Sequence, residues 1–298
     1  MFNHHGVYNP NLSSLTSATN ETDEKSMKRT LEVLDYCIGS LGVIGNIFVL
    51  IVIGSSSTMR KTRFNKLIMH QCILDCLGAL FITLITAVPR VYEGDWNNCV
   101  LWETRYPFWI FVNSSTFSLL LITIERYLGI VHPIWYERKI TDRHMVFGMS
   151  IVWTFGIGTA TSMSQSIANI DSDGLCSVHS VSLSYFMRAM GVIWFLVSFL
   201  FPILVHVYCY IRMYKTLWIR MASDVDGKDM FDERKDISGE NNEDNPTDNR
   251  KAMKNVVHTL VTVTHYFVTC WFCNQIYVLF YHFGYPVDFR GNFFHFSF

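Results

Sequence analysis

Six runs of predominantly apolar residues, at about 32–54, 66–90, 104–131, 144–168, 183–216 and 253–283, are each long enough to cross a bilayer, and a further run begins at about 288. Crossing the hydrocarbon takes about 20 helical residues. A backbone exposed to lipid must close its own hydrogen bonds, so these runs are expected to be helices. A single span, or a signal peptide followed by a soluble domain, does not account for so many. Composition agrees: 50% of the residues are hydrophobic, 15% are aromatic and only 16% are charged. That balance describes a chain whose solvent is partly membrane lipid. The net charge of −1 offers no basic field for nucleic acid.

The loops set an orientation. Arg60, Lys61, Arg63 and Lys66 lie between the first two runs, Arg138, Lys139 and Arg143 between the third and fourth, and Arg212, Lys215 and Arg220 close the fifth. Alternate loops are therefore basic, and basic loops stay in the cytoplasm. The amino-terminal tail, residues 1–31, is then expected outside, with Asn11-Leu12-Ser13 and Asn20-Glu21-Thr22 as glycosylation acceptors. This tail lacks the apolar core of a secretory signal, which leaves the first span as the targeting signal. A third sequon, at Asn113, falls inside a span and is discounted.

Residues 221–250 carry ten acidic side chains among Asn, Gly and Ser and read as a disordered cytoplasmic loop, a solvated spacer. At the other extreme, a span that starts near Asp288 and stops at Phe298 covers about half a bilayer at about 1.5 Å per residue. The expected architecture is an all-α membrane protein, a seven-transmembrane helix bundle over 32–298 whose seventh helix is incomplete. A fragment, a truncated gene model or a splice product is expected, and such a chain is not expected to signal alone.

Polar residues inside apolar runs are costly, and they normally face one another within a bundle. Asn46 follows Gly45 in the first run, Asp75 lies in the second and Ser115 in the third. Glu125-Arg126-Tyr127 ends the third run and continues into Leu128-Gly129-Ile130-Val131-His132-Pro133. An acid beside an arginine at a membrane edge points to a function at that face. With the Leu74-Asp75 step after Asn65, Trp153, Phe201-Pro202 with Tyr210, and Phe267-Val268-Thr269-Cys270-Trp271, these residues form one motif per successive run. In that order the chain resembles a rhodopsin-like (family A) G-protein-coupled receptor.

The resemblance implies a plasma-membrane protein that binds an extracellular ligand and activates a heterotrimeric G protein. Arg126, restrained by Glu125 at rest, would be released when the sixth helix swings outward, with Tyr210 supporting it. Trp271 and Phe267, four apart, would be the rearranging aromatic pair below the ligand, near Pro202. Asp75, Asn46 and Ser115 would hold an allosteric sodium ion, or serve as inter-helix hydrogen-bond glue without one. Cys99 and Cys176 would form the family's disulfide between the third helix and the second outer loop, although Cys99 stands two residues farther from Arg126 than is usual. The chain departs from the family twice more. Cys273 replaces the proline expected after Trp271, so the sixth helix keeps a backbone hydrogen bond. Lys251-Ala252-Met253-Lys254 offers no acid at its cytoplasmic end, which leaves Glu125 as the one expected restraint on Arg126.

No zinc-protease, phosphate-loop or nucleophile-elbow motif is present, so the chain is not expected to be an enzyme. Phe108 stands where the family anchors amines with an aspartate, which argues against an amine ligand. Arg105, Trp109, Gln165, Asn274 and Gln275, with Phe108, form the expected ligand-binding set beneath a rim of charges and aromatics that suits a peptide. The Cys-Trp-x-x-Asn-Gln-Ile run is similar to invertebrate neuropeptide receptors. A lipid or light receptor of the same fold, or a multi-span transporter, is the alternative. A transporter would need an internal repeat, and none is evident.

Overall fold

A computed structural model of the chain describes residues 10–87, 99–170, 176–178, 185–235 and 246–283. Helix α1 (Pro10–Ser55) leads through the short α2 (Ser57–Lys61) to α3 (Arg63–Ala87), and a π-helical turn at Cys99–Glu103 precedes α4 (Tyr106–Val131). Then come α5 (Pro133–Lys139), α6 (Asp142–Ile167), a hairpin of β1 (Ala168–Ile170) with β2 (Cys176–Val178), α7 (Tyr185–Phe195), α8 (Phe201–Lys235) and α9 (Pro246–His282). Six helical stretches among the described residues are long and apolar enough to cross a membrane: Arg29–Ser55, Arg63–Ala87, Tyr106–Val131, Asp142–Ser164, Arg188–Arg220 and Lys254–Phe280. Each coincides with one of the apolar runs. The incomplete seventh span expected after residue 288 lies outside the described residues.

The stretch expected to be irregular, 221–250, is helical in its backbone over 221–235 and 246–250, as α8 and α9 extend past the apolar runs. Met221, Ala222, Lys228, Met230, Glu233, Arg234 and Lys235 are good helix formers, and a helix propagates more readily than it starts. Helix α1 likewise begins at Pro10, well ahead of its membrane span, so the tail expected over 1–31 is helical in backbone from residue 10. The side chains of Asn11 and Asn20 are not among those described.

Helix α4 is the axis of the bundle, with 61% of its membrane window buried against 11–33% in the other five. It packs against α3, α6 and α8, while α1 packs on α3. Small residues permit the closest approaches. A Cβ on Gly156 of α6 would overlap Ser114 of α4, and one on Gly39 of α1 would overlap Thr83 of α3. The outward faces carry Leu41, Phe48 and Ile51 on α1, Phe147 on α6, Leu204 and Trp218 on α8, and Tyr266 and Phe272 on α9, all exposed and suited to lipid.

Inside, three apolar layers stack along the bundle. One joins Leu67, Ile122, Ile130, Met213, Leu217 and Val257 near the basic loops. A second, smaller layer holds Leu74, Phe117 and Val152. The third, at the opposite end, is aromatic: Phe108, Trp109, Trp194, Phe199 and Trp271.

Proline shapes one helix and its absence another. Pro202 has no N–H, so helix α8 is entered through the π-helical turn Leu196–Leu200, in which the Phe201 N–H donates to the Leu196 carbonyl. Helix α9 instead runs unbroken through Cys273.

Candidate functional site

At the basic end, Arg126 Nε donates to Glu125 Oε2 at 2.5 Å and its Nη2 to Oε1 at 2.8 Å. Glu125 is 3% exposed, so the carboxylate is out of water and needs every donor it has. A further one comes from the connecting helix α5: Tyr136 Oη donates to Glu125 Oε1 at 2.6 Å. Burial, reinforced by that carboxylate, pushes the Tyr136 hydroxyl above its ordinary value and keeps it a donor. Arg126 also lies over the Phe64 ring, with Cζ 3.8 Å from the centroid, a geometry worth about 0.5–2 kcal/mol. Glu125 is therefore not the sole restraint on Arg126, as the sequence suggested; Phe64 and Tyr136 share the task. Around them, Arg63 sits 5.1 Å over the Tyr136 ring and Lys66 meets Asp142 at 2.7 Å, tying α3 to α5 and α6. Tyr127 turns away, its ring 5.9 Å from that of Tyr208 and 5.8 Å from His132.

Tyr210 does not reach Arg126. Its hydroxyl lies 2.7 Å from Thr264 Oγ1, 3.2 Å from Thr123 Oγ1 and 3.3 Å from the Leu260 carbonyl. One phenol thus fastens α8 to both α4 and α9 at a buried point.

Midway along the bundle, Asp75 accepts a hydrogen bond from Ser115 Oγ at 2.6 Å, and Gln71 Nε2 stands 3.0 Å from each of its two oxygens. The same Nε2 lies 2.5 Å from Ser115 Oγ. Asn46, the third residue of the expected ion set, donates instead to the Gly42 carbonyl of its own helix at 2.9 Å. A hard cation needs several oxygens converging on one point. Here the carboxylate faces an amide nitrogen, which carries hydrogens and no free lone pair. Among the described residues, hydrogens of an amide and a hydroxyl meet this carboxylate.

Asp75, Ser115 and Asn46 all line a cleft of about 430 Å³ between α1, α3, α4 and α9, and its wall continues through Phe108, Phe267 and Trp271. Trp271 stacks on Phe267 at 5.9 Å and meets Trp109 at 5.8 Å, while Trp109 meets Phe108 at 5.4 Å. Pro202 is buried just beyond the π-helical turn of the fifth span.

Asn274 and Gln275 lie one turn beyond Trp271 on α9, and Asn113 one turn beyond Trp109 on α4. These three amides are 1%, 0% and 1% exposed, and among the described residues none of their side-chain nitrogens or oxygens has a hydrogen-bond partner. Arg105 caps α4 in the left-handed region at φ 55, the one non-glycine residue with positive φ among those described, a conformation that costs of order 1 kcal/mol or more. The Gln165 side chain lies outside the described residues. So do the side chains of Cys99 and Cys176, but the backbone turn that begins at Cys99 packs against the strand that begins at Cys176.

Sequence reasoning passed over several of these residues. Gln71 sits four residues before Asp75, a spacing that puts both on one helix face, and that signal was available. Asp35, 6% exposed and reached by Thr86 Oγ1 at 3.2 Å, was a buried acid near the start of an apolar run. Tyr136 and Phe64 had no local signal, because their roles depend on chain segments folding back.

A bundle of membrane-length helices, with a buried acid–arginine pair at one end and buried amides flanking an aromatic layer toward the other, has the form of a multi-pass membrane receptor. The chain belongs to the rhodopsin family of seven-transmembrane receptors, whose sequence pattern matches residues 45–297. It is similar to the Allatostatin-A receptor of Bombyx mori, 25% identical over 264 residues and covering 86% of this chain and 67% of that protein. With Galanin receptor 2a of Danio rerio the identity is 22% over 245 residues, 82% of this chain and 62% of the relative. Neuropeptide receptor 15 of Caenorhabditis elegans is 29% identical over 119 residues, 39% of this chain and 34% of the relative. The chain thus spans about two thirds of the length of the first two and about one third of the last.

Proposed function

We propose that the chain is a plasma-membrane receptor that binds an extracellular peptide and activates a heterotrimeric G protein at its basic end. The observation that carries the ligand reading is the set of unpartnered buried amides, Asn113, Asn274 and Gln275. Buried amides without partners cost about 1–3 kcal/mol each. A peptide offers matching backbone donors and acceptors, and its binding would recover that cost. The Neuropeptide receptor 15 relative points the same way. Phe108 in place of an acid weighs against an amine.

In this reading the basic loops face the cytoplasm and the amino terminus faces outside, where Asn11 and Asn20 carry glycans and Cys99 bonds to Cys176. Ligand contact at Asn274 and Gln275 shifts Trp271 against Trp109 and Phe267. The strain passes down α9 to Thr264, which leaves Tyr210, and α9 moves outward. Arg126 then exchanges Glu125 and Phe64 for the G protein. A ligand drives this two-state shift only by its differential affinity for the two states.

The test is guanine-nucleotide exchange on G proteins in membranes from cells expressing the full-length receptor, challenged with a synthetic neuropeptide panel and, separately, a lipid panel. Exchange driven by a peptide and lost in Asn274→Leu supports the reading. Exchange driven by lipids alone, with peptides silent, overturns it.

A further inference from the structure

The Asp75 carboxylate already has hydrogen-bond donors, and they belong to the chain. Gln71 Nε2 stands equidistant, at 3.0 Å, from Oδ1 and Oδ2, the position from which a donor serves both oxygens. Ser115 closes the ring: its Oγ donates to Asp75 Oδ1 at 2.6 Å and lies 2.5 Å from the same Gln71 nitrogen. Two amide hydrogens and one hydroxyl hydrogen thus serve the Asp75 carboxylate and the Ser115 hydroxyl, while Gln71 Oε1 is buried without a partner among the described residues. All three residues are half-buried or deeper, where a carboxylate without donors is costly.

Asn46 lines the same cleft, and its Nδ2 is engaged with the Gly42 carbonyl of its own helix. The helical spacing makes the arrangement local to one helix. Gln71 and Asp75 are one turn apart on α3, so the amide meets the acid however the other helices move.

We propose that the Gln71 amide takes the place of a cation at Asp75, so that this receptor's stability and conformational equilibrium are indifferent to sodium. The amide neutralises no charge but supplies the donor hydrogens that a bound ion would otherwise make unnecessary. It also positions Asp75 against Ser115, fastening α3 to α4. Replacing Gln71 by an apolar side chain removes that donor and leaves Asp75 and Ser115, which both line the cleft, with open acceptor positions for an ion. This inference rests on the geometry around Asp75 and is independent of the ligand's identity.

The experiment follows the thermal unfolding midpoint of the purified receptor by tryptophan fluorescence, in sodium chloride and in choline chloride of equal ionic strength. The wild-type midpoint is expected to be the same in both salts. In Gln71→Leu, sodium is expected to raise it by about 2–4 °C or more, saturably, as specific binding to the folded state does. Adding Asp75→Asn to that variant should abolish the rise. A sodium-specific rise in the wild type overturns the proposal, and so does a Gln71→Leu protein that ignores sodium. Should Gln71→Leu fail to fold, Gln71→Met keeps the length without the amide. Sodium-23 relaxation measured on the wild type decides independently, with detectable binding contradicting the proposal.

Discussion

Tyr136 Oη and Arg126 Nη2 converge on one oxygen of Glu125, at 2.6 and 2.8 Å. The tyrosine is on a seven-residue connecting helix and the arginine on the central span, so the carboxylate couples a loop to the bundle axis. Removing the hydroxyl takes one charge-assisted bond, worth about 1.5–3 kcal/mol, from the resting arrangement.

Tyr136→Phe is accordingly expected to raise basal nucleotide exchange several-fold, with surface expression retained. Because the Tyr136 hydroxyl is held above its usual value, its contribution is complete below the ordinary phenol value of about 10 and is lost only as the pH rises beyond that. The ratio of variant to wild-type basal exchange should therefore be flat between about pH 6 and about pH 8. An unchanged basal rate, or a ratio that varies across that window, counts against the role of Tyr136.

The Tyr210–Thr264 contact at 2.7 Å is a second latch, between α8 and α9. In a double-mutant cycle of Tyr210→Phe and Thr264→Val, read by thermal unfolding, the coupling is expected to be about 0.5–1.5 kcal/mol. Additive effects would show that the two hydroxyls do not act together.

Asn274 is fully buried with neither side-chain atom paired among the described residues, a configuration that favours a ligand at the expense of the empty protein. Asn274→Leu should stabilise the unliganded receptor by about 1 kcal/mol or more while reducing the response to an activating peptide about tenfold or more. A variant that loses stability, or that keeps full peptide potency, would disagree with this account.

The approach of α6 to α4 depends on Gly156, where a methyl group would overlap the Ser114 side chain and Cα. Gly156→Ala is expected to cost about 1–3 kcal/mol, visible as a lower unfolding midpoint. Gly158→Ala, at a position with nothing within 4 Å, is the control and should change little. Equal behaviour of the two would mean that the helices adjust freely.

The spans were legible because lipid imposes a length and an apolar composition on each helix independently of its neighbours. The read boundary at about 104–131, for example, corresponds to Tyr106–Val131. Glu125 and Arg126 were legible for the same reason, as charges at the end of an apolar run. What the sequence did not display was how segments fold back on one another. Phe64 beneath Arg126 and Tyr136 beside Glu125 are separated from their partners by about 60 and about 10 residues of chain, and no periodicity joins them. Asn46 was read as a partner of Asp75 because both are polar in apolar surroundings. Its amide found a carbonyl one turn back instead, the kind of local bond that competes with long-range pairing. In the acidic stretch after residue 221, the charge masked the helix formers that carry α8 on to Lys235.

The central claim is that Arg126, held at rest by Glu125 and Phe64, is the group that acts on the G protein. The direct measurement is peptide-stimulated nucleotide exchange in the full-length receptor and its Arg126→Ala variant at matched surface expression. The expected result is loss of stimulated exchange with peptide binding preserved; stimulated exchange at the wild-type level would contradict the account.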